Sequence, residues 1–154
     1  MHWIKENISK VPSLQAYNHH VSTIEETVDD KPDLAIELCK SLLEGICKTI
    51  LTNKGVDYLS VDKFPKLIKL TIETICAGTA EKDDLLDLGT RVTSVAHKIG
   101  EIRNKASFAS HGQDIDHPKL SNTLSNFMFY VTDAMGGFIL SYYLQYSLNS
   151  SVRI

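Results

Sequence analysis

Residues 99–114 read IGEIRNKASFASHGQD and place Arg103, Asn104, Lys105 and His111 within nine positions. Arginine, asparagine and histidine together suit one reaction, attack on a phosphodiester by its own 2′-OH. That step needs a proton carrier working near neutrality, which histidine supplies. It needs a fixed cation on the non-bridging oxygens, which arginine supplies, and a dipole to orient them, which asparagine supplies. No metal is required by that scheme, and the segment has no carboxylate cluster of ligand spacing. Lys105 adds positive charge for a polyanion, but its ordinary pKa of about 10.4 keeps it out of proton transfer. Ser107 and Ser110 lack the base and orienting group of an activated nucleophile. The same residues also make an ordinary helix end. Basic side chains near a C-terminus complement the dipole, and His followed by Gly112 can stop a helix. On the residues alone both readings stand.

Helices must position this segment, because hydrophobic residues recur by threes and fours almost throughout. Leu14, Tyr17, Val21, Ile24 and Val28 mark a first helix, and Ala35, Leu38, Leu42, Ile46 and Ile50 a second that Gly55 ends. The second carries Glu44 and Lys48 one turn apart, spaced for an ion pair. A third is expected from about Pro65 to Gly78. The fourth takes its stripe from Leu85, Leu88, Val92, Val95, Ile99, Ile102, Ala106 and Ala109, so Ile99, Ile102 and Ala106 are expected to face the core. Arg103 then sits ~100° round from Ile102, at the edge of the buried seam. The fifth carries Leu120, Leu124, Phe127, Val131, Met135, Phe138 and Tyr142, with Gly136-Gly137 expected to kink or break it. Pro12, Pro32, Pro65 and Pro118 all fall in opening turns, where a missing N–H costs little. No segment alternates with period two long enough to build a sheet. The expectation is one all-α domain over residues 1–154, a compact up-and-down bundle of about five helices, with residues 1–30 as an N-terminal helical extension.

Composition narrows the function. At 154 residues the chain is long enough for one core, and 43% hydrophobic with 23% charged residues is ordinary for a globular domain. A net charge of −3 argues against a protein that coats nucleic acid along a broad basic face, but not against a grip on one phosphate. Charge is uneven: EETVDD (25–30) is acidic, while KFPKLIK (63–69) and HKIGEIRNK (97–105) are basic. No run reaches the roughly 18 to 20 apolar residues of a membrane span, and MHWIKENISK lacks a signal-peptide core. A cytoplasmic location without membrane partners is expected. Cys39, Cys47 and Cys76 have no ligand spacing and read as buried hydrophobes. His19, His20 and His97 read as surface or partly buried rings, since adjacent helical histidines diverge by ~100°. Neither a metal site nor a cofactor is expected.

Two blocks together resemble a known family. IRNKASFASHG (102–112) is similar to the R-N-K-x-(S/G)-x-x-x-H-G signature of the abortive-infection C-terminal domain. PDLAIELCKSLLEGICKTIL (32–51) resembles its other hallmark, a helix reading A-I-E-x-x-K-x-L-L-E-x-x-C-K-x-I-L. The resemblance spans roughly residues 30 to 145 and implies kinship with the HEPN superfamily of compact helical bundles. Many of these are dimeric, metal-independent endoribonucleases of toxin–antitoxin and antiphage systems. It implies that Arg103 holds phosphate, Asn104 orients the phosphate or the imidazole, and His111 moves a proton. The seven residues between Arg103 and His111 exceed the usual HEPN gap and match the abortive-infection pattern.

Glu44 and Lys48, inside the second block, are either a solvated pair or RNA-facing groups, with Lys48 on phosphate or Glu44 holding Arg103. Aromatics on both faces of the fifth helix, among them Phe127, Phe129, Tyr130, Tyr142, Tyr143 and Tyr146, suggest a homodimer seam. The resemblance therefore implies an RNA-cleaving defence or toxin protein with an antitoxin or other defence partner. The alternative is a non-catalytic dimerisation or RNA-binding module that uses the motif as a helix cap.

Overall fold

A computed structural model describes residues 1–110 and 121–149, and every element in it is helical. The order is α1 (His2–Ile8), a 3₁₀ turn (Pro12–Tyr17), α2 (Asn18–Thr27), α3 (Pro32–Asn53), α4 (Phe64–Ile75), α5 (Lys82–Ser110) and α6 (Asn122–Asn149). The all-α expectation holds, with one helix more than the five read from periodicity. Gly112, read as the end of the fourth helix, and Pro118 and Leu120, read as the start of the fifth, lie outside the described residues.

α3 is the central element. Its apolar residues arrive every three or four positions, and Ala35, Ile36, Cys39, Leu42, Leu43, Ile46, Cys47, Ile50 and Leu51 are all buried. It packs on α2, α4, α5 and α6. Pro32 opens it at a position where no intrahelical N–H is needed. Gly55 closes it at φ 67°, where the Gly55 N–H donates to Thr52 and the Val56 N–H reaches back to Leu51. α4 is ended similarly by Gly78 at φ 82°.

The helices were legible, but the faces of two of them only in part. Leu85, Val92 and Ile99 of α5 pack inward as expected, as do Leu124, Val131, Met135, Phe138 and Tyr142 of α6, whereas Leu88, Val95, Ile102 and Phe127 do not. Over residues 82–105 of α5 the buried residues are Gly89, Thr93, Ala96 and Ile99, whereas Leu88, Val95 and Ile102 are 53%, 39% and 42% exposed. Ile102 therefore does not face the core. The cause is close helix approach. Gly89 has no side chain, and Ile72 of α4 occupies the space that a Cβ there would fill. The Thr93 hydroxyl satisfies itself on the Gly89 carbonyl at 2.6 Å. Gly89, Thr93, Ala96, Gly100 and Arg103 step by four and three, so the small-residue seam runs into the arginine. On α6 the buried line is Ser125, Met128, Thr132, Met135 and Ile139, leaving Phe127 50% and Tyr130 65% exposed.

Gly136 and Gly137 do not break α6, which is continuous through them. They make room for α1 instead. A Cβ on Gly136 would stand 2.6 Å from Ile4 Cδ1, and one on Gly137 2.5 Å from Trp3 Cβ. The carboxylate of Asp133, one turn earlier on α6, accepts from the backbone N–H groups of His2, Trp3 and Ile4 and so caps α1. Lys5 of α1 pairs with Glu25 of α2. Burial pushes the Glu25 carboxyl up, but its hydrogen bonds to Lys5 and the chain's amino group outweigh that and hold it below the ordinary range.

The three cysteines are buried and unpaired, as their aliphatic neighbours suggested. Burial pushes the Cys39 and Cys47 thiols up to about 12, against small opposing effects of Thr132 and Thr71. At pH 7.5 neither should be a thiolate, so iodoacetamide should label Cys39 and Cys47 only after unfolding. Mass spectrometry of labelled native and urea-unfolded protein checks this. Rapid native labelling of either would show that α3 is not buried as described. No helix among the described residues is long and apolar enough to cross a membrane.

Candidate functional site

The small-residue seam of α5 leads to a cavity of about 530 Å³ where α3, α4 and α5 meet over α6. Ile36, Ala96 and Met128 line its buried apolar side. Phe64 and Pro65, from the first turn of α4, form a half-buried wall. The polar lining is Glu37 and Lys40 from α3, Lys63 just before α4, and His97, Glu101, Arg103 and Asn104 from α5. Three fixed cations thus meet two carboxylates.

Arg103 is the best-held of these cations. Its Nη1 lies 3.0 Å from Glu37 Oε2 and donates to Asn104 Oδ1, also at 3.0 Å. The side chain is 27% exposed, yet Nε is fully buried and has no acceptor among the described residues. A buried donor left without a partner costs roughly 1–3 kcal/mol, so the guanidinium is fixed in place but incompletely satisfied. Its carboxylate partner, Glu37, is 53% exposed. Water competes for such a pair, which contributes at most about 1 kcal/mol, so Glu37 orients Arg103 without locking it away from another anion.

The surrounding charges favour an anion. Lys63 has no acidic partner among the described residues. It sits at the N-terminal end of α4, whose first turn has no acidic residue and whose N-cap makes no side-chain hydrogen bond. The partial positive charge of that helix end is therefore uncompensated beside the cavity. Lys40 is 3.9 Å from Glu44, a loose pair. Glu101 is occupied on its own helix by Lys98 at 3.0 Å and His97 at 3.9 Å. The Lys98 hydrogen bond and charge hold its carboxyl below the ordinary range, slight desolvation opposes them, and His97 and Lys105 add to the lowering. It stays ionised near neutrality.

The sequence-derived site is thus partly assembled here. Arg103 and Asn104 share the cavity and hydrogen-bond each other. Lys105 is exposed and lies outside the lining. Glu44 does not hold Arg103, because Glu37, two turns earlier on the same face of α3, does. Nor does Glu44 pair with Lys48 as its spacing suggested; its partner is Lys40. Lys48 is exposed and outside the lining. His111 lies outside the described residues. Sequence reading passed over Glu37, Lys40, Lys63 and His97 as site residues. The signal was present: Glu37 and Lys40 stand in the AIELCK part of the 32–51 block, and Lys63 and His97 each begin one of the two basic stretches. Among the described residues, no three His, Cys, Asp or Glu side chains converge as a metal-ligand set.

Comparison with curated proteins and with solved structures gives no significant match. A family model, Abi_C, described as an HEPN-like domain, matches residues 15–143. That span takes in α2 to α5 whole and most of α6, and it contains the cavity and both blocks that carried the resemblance. The chain therefore belongs to the Abi_C family of HEPN-like domains.

Proposed function

We propose that the protein is a metal-independent endoribonuclease of HEPN type, acting in phage defence or as the toxin of a toxin–antitoxin pair. The observation that carries this reading is the half-buried Arg103, oriented by Glu37 and Asn104 at a cavity with Lys40 and Lys63 on its rim. A phosphodiester oxygen is the acceptor such a fork is built for. In the reaction, a ring nitrogen takes the 2′-OH proton as that oxygen attacks phosphorus. The bond to the 5′-oxygen breaks, and the leaving oxygen takes up a proton. The products are a 2′,3′-cyclic phosphate and a 5′-hydroxyl. His111 is the proton carrier in this proposal, Arg103 stabilises the charge that develops on the phosphate, and Asn104 holds the arginine in register. A homodimer places two such sites near one axis, and a cytoplasmic antitoxin or other defence protein is the partner that restrains them. Lys105, Lys48 and Glu44 belong to the approach of the RNA strand rather than to the chemistry.

A second reading has an observation of its own. The Arg103–Glu37 pair ties α5 to α3, which a purely structural cap would also do. Incubation with total RNA in EDTA separates the two. Wild type should leave 2′,3′-cyclic phosphate ends, and Arg103→Ala and His111→Ala should not. Equal cleavage by all three proteins removes this site from the mechanism. An absence of cleavage, with an Arg103→Ala variant that has lost its fold, leaves the cap.

A further inference from the structure

Of the seven described glycines, six have a structural reason to be glycine. Gly55 and Gly78 sit at positive φ, and Gly45, Gly89, Gly136 and Gly137 each give way to a side chain of another element. Gly100 has neither reason. It lies within the 29-residue α5, and among the described residues no atom beyond its own helix comes within 4 Å of where its Cβ would be. A glycine there costs about 1 kcal/mol against alanine, and nothing in the packing requires it. It lines the cavity, one turn before Arg103 and Asn104. We infer that Gly100 keeps the cavity open for a ligand, and that the ligand is one unstacked nucleotide. Its base lies against the half-buried wall of Phe64 and Pro65, and its phosphate lies at Arg103 and Lys63.

The lining selects this chemistry. A bare phosphate would gain nothing from the half-buried apolar wall of Phe64 and Pro65. An apolar ligand would leave Lys63 without a counter-charge and the Arg103 Nε–H without an acceptor among the described residues. A nucleotide uses both halves, since a base of any identity can lie flat on an aromatic ring while its phosphate takes the fork. About 530 Å³ lies within the usual range for small-ligand pockets, and a base stacked in a duplex cannot enter it. The inference rests on the proposed RNA-cleaving role and names the strand it accepts: single-stranded, with one base turned into the cavity. Free mononucleotide shares the chemistry, so the test includes both.

The experiment is calorimetric titration in EDTA with inorganic phosphate, AMP, UMP, a single-stranded hexadeoxynucleotide that resists 2′-OH chemistry, and the same strand annealed to its complement. Nucleotides and single strand should bind at least about tenfold tighter than phosphate and duplex. Gly100→Leu should melt no lower than wild type yet bind nucleotide no better than phosphate, and Gly100→Ala should weaken binding in the same sense. Phe64→Ala should lose about tenfold. Wild-type affinity in Gly100→Leu overturns the inference, as does a lowered melting temperature in Gly100→Ala, which would give the glycine a packing role. Binding of AMP and UMP without the strand overturns the strand as the source. RNA cleavage that Gly100→Leu leaves intact removes the seat but not the Arg103 chemistry, whereas nucleotide binding without any cleavage removes that chemistry and keeps the seat.

Discussion

Arg103→Ala should lower RNA cleavage by about 100- to 1,000-fold, the usual effect of deleting one preorganised donor to a developing oxyanion. The fold should survive the change. Glu37, the partner left behind, is 53% exposed and can be hydrated, and the unpartnered buried Nε disappears with the side chain. Arg103→Lys keeps the charge but loses the planar fork, so it should recover only part of the rate. Glu37→Gln should act in the opposite sense, since it removes the anion that competes with substrate phosphate while leaving an acceptor for Nη1. Single-turnover cleavage of a labelled single strand in EDTA, beside a thermal melt of each variant, checks the series. Wild-type rates in Arg103→Ala, or a fall for Glu37→Gln as deep as for Arg103→Ala, would assign the pair to structure alone.

The largest stability effect is expected far from that cavity. Gly137→Val should destabilise the domain by about 3 kcal/mol, because the new side chain meets a neighbour that cannot retreat. The Cβ at position 137 would lie 2.5 Å from Trp3 Cβ and 3.4 Å from the Trp3 backbone carbon, so relief requires moving α1 itself. At Gly136 the nearest atom is the flexible tip of Ile4, and Gly136→Ala should cost less. Displacing α1 also takes its N-terminal N–H groups off Asp133. For a domain of this size the Gly137→Val melting temperature should fall by about 10 °C. Trp3 is the only tryptophan in the sequence, so its fluorescence reports α1 directly. An unchanged melt with unchanged Trp3 emission would mean that α1 does not dock on the glycine pair.

These two sites show what periodicity can and cannot convey. Helix positions were readable because proline and glycine mark ends through backbone constraints that do not depend on tertiary context. Pro32 and Pro65 open α3 and α4, and Gly55 and Gly78 close them. The inward face of α5 was read only in part, with Leu85, Val92 and Ile99 right, because hydrophobic periodicity weighs side-chain size. A helix docked through Gly89, Thr93 and Ala96 buries small residues and leaves Leu88, Val95 and Ile102 outside. The glycine pair in α6 was read as a kink or break for a related reason: absence of a side chain marks either flexibility or close approach, and only the partner helix decides. α1 is seven residues long, too short to display a period, and it docks by burying Ile4 and Ile8 where Asp133 caps it and the glycines make room for it.

At the candidate site the sequence placed Arg103 and Asn104 together because neighbouring positions cannot separate far. It did not choose between Glu37 and Glu44. They are seven residues apart on one stripe of α3, and the stripe fixes direction but not height along the partner helix. The height is set by how α5 lies across α3, which no local pattern encodes. Lys63 reached the site in the same way, through the fold rather than the motif.

The most direct test of the account is the side-chain Nε–H resonance of Arg103, followed by NMR as an uncleavable single-stranded oligonucleotide is added. If this arginine receives the phosphate, that signal and the amide of Gly100 move with saturation, while the Gly100 amide stays fixed in Arg103→Lys and the Arg103 Nε–H stays fixed in Gly100→Leu. If both signals hold still while others shift across the exposed ridge of Leu88, Val95 and Ile102, RNA meets the protein elsewhere and the cavity is not its site.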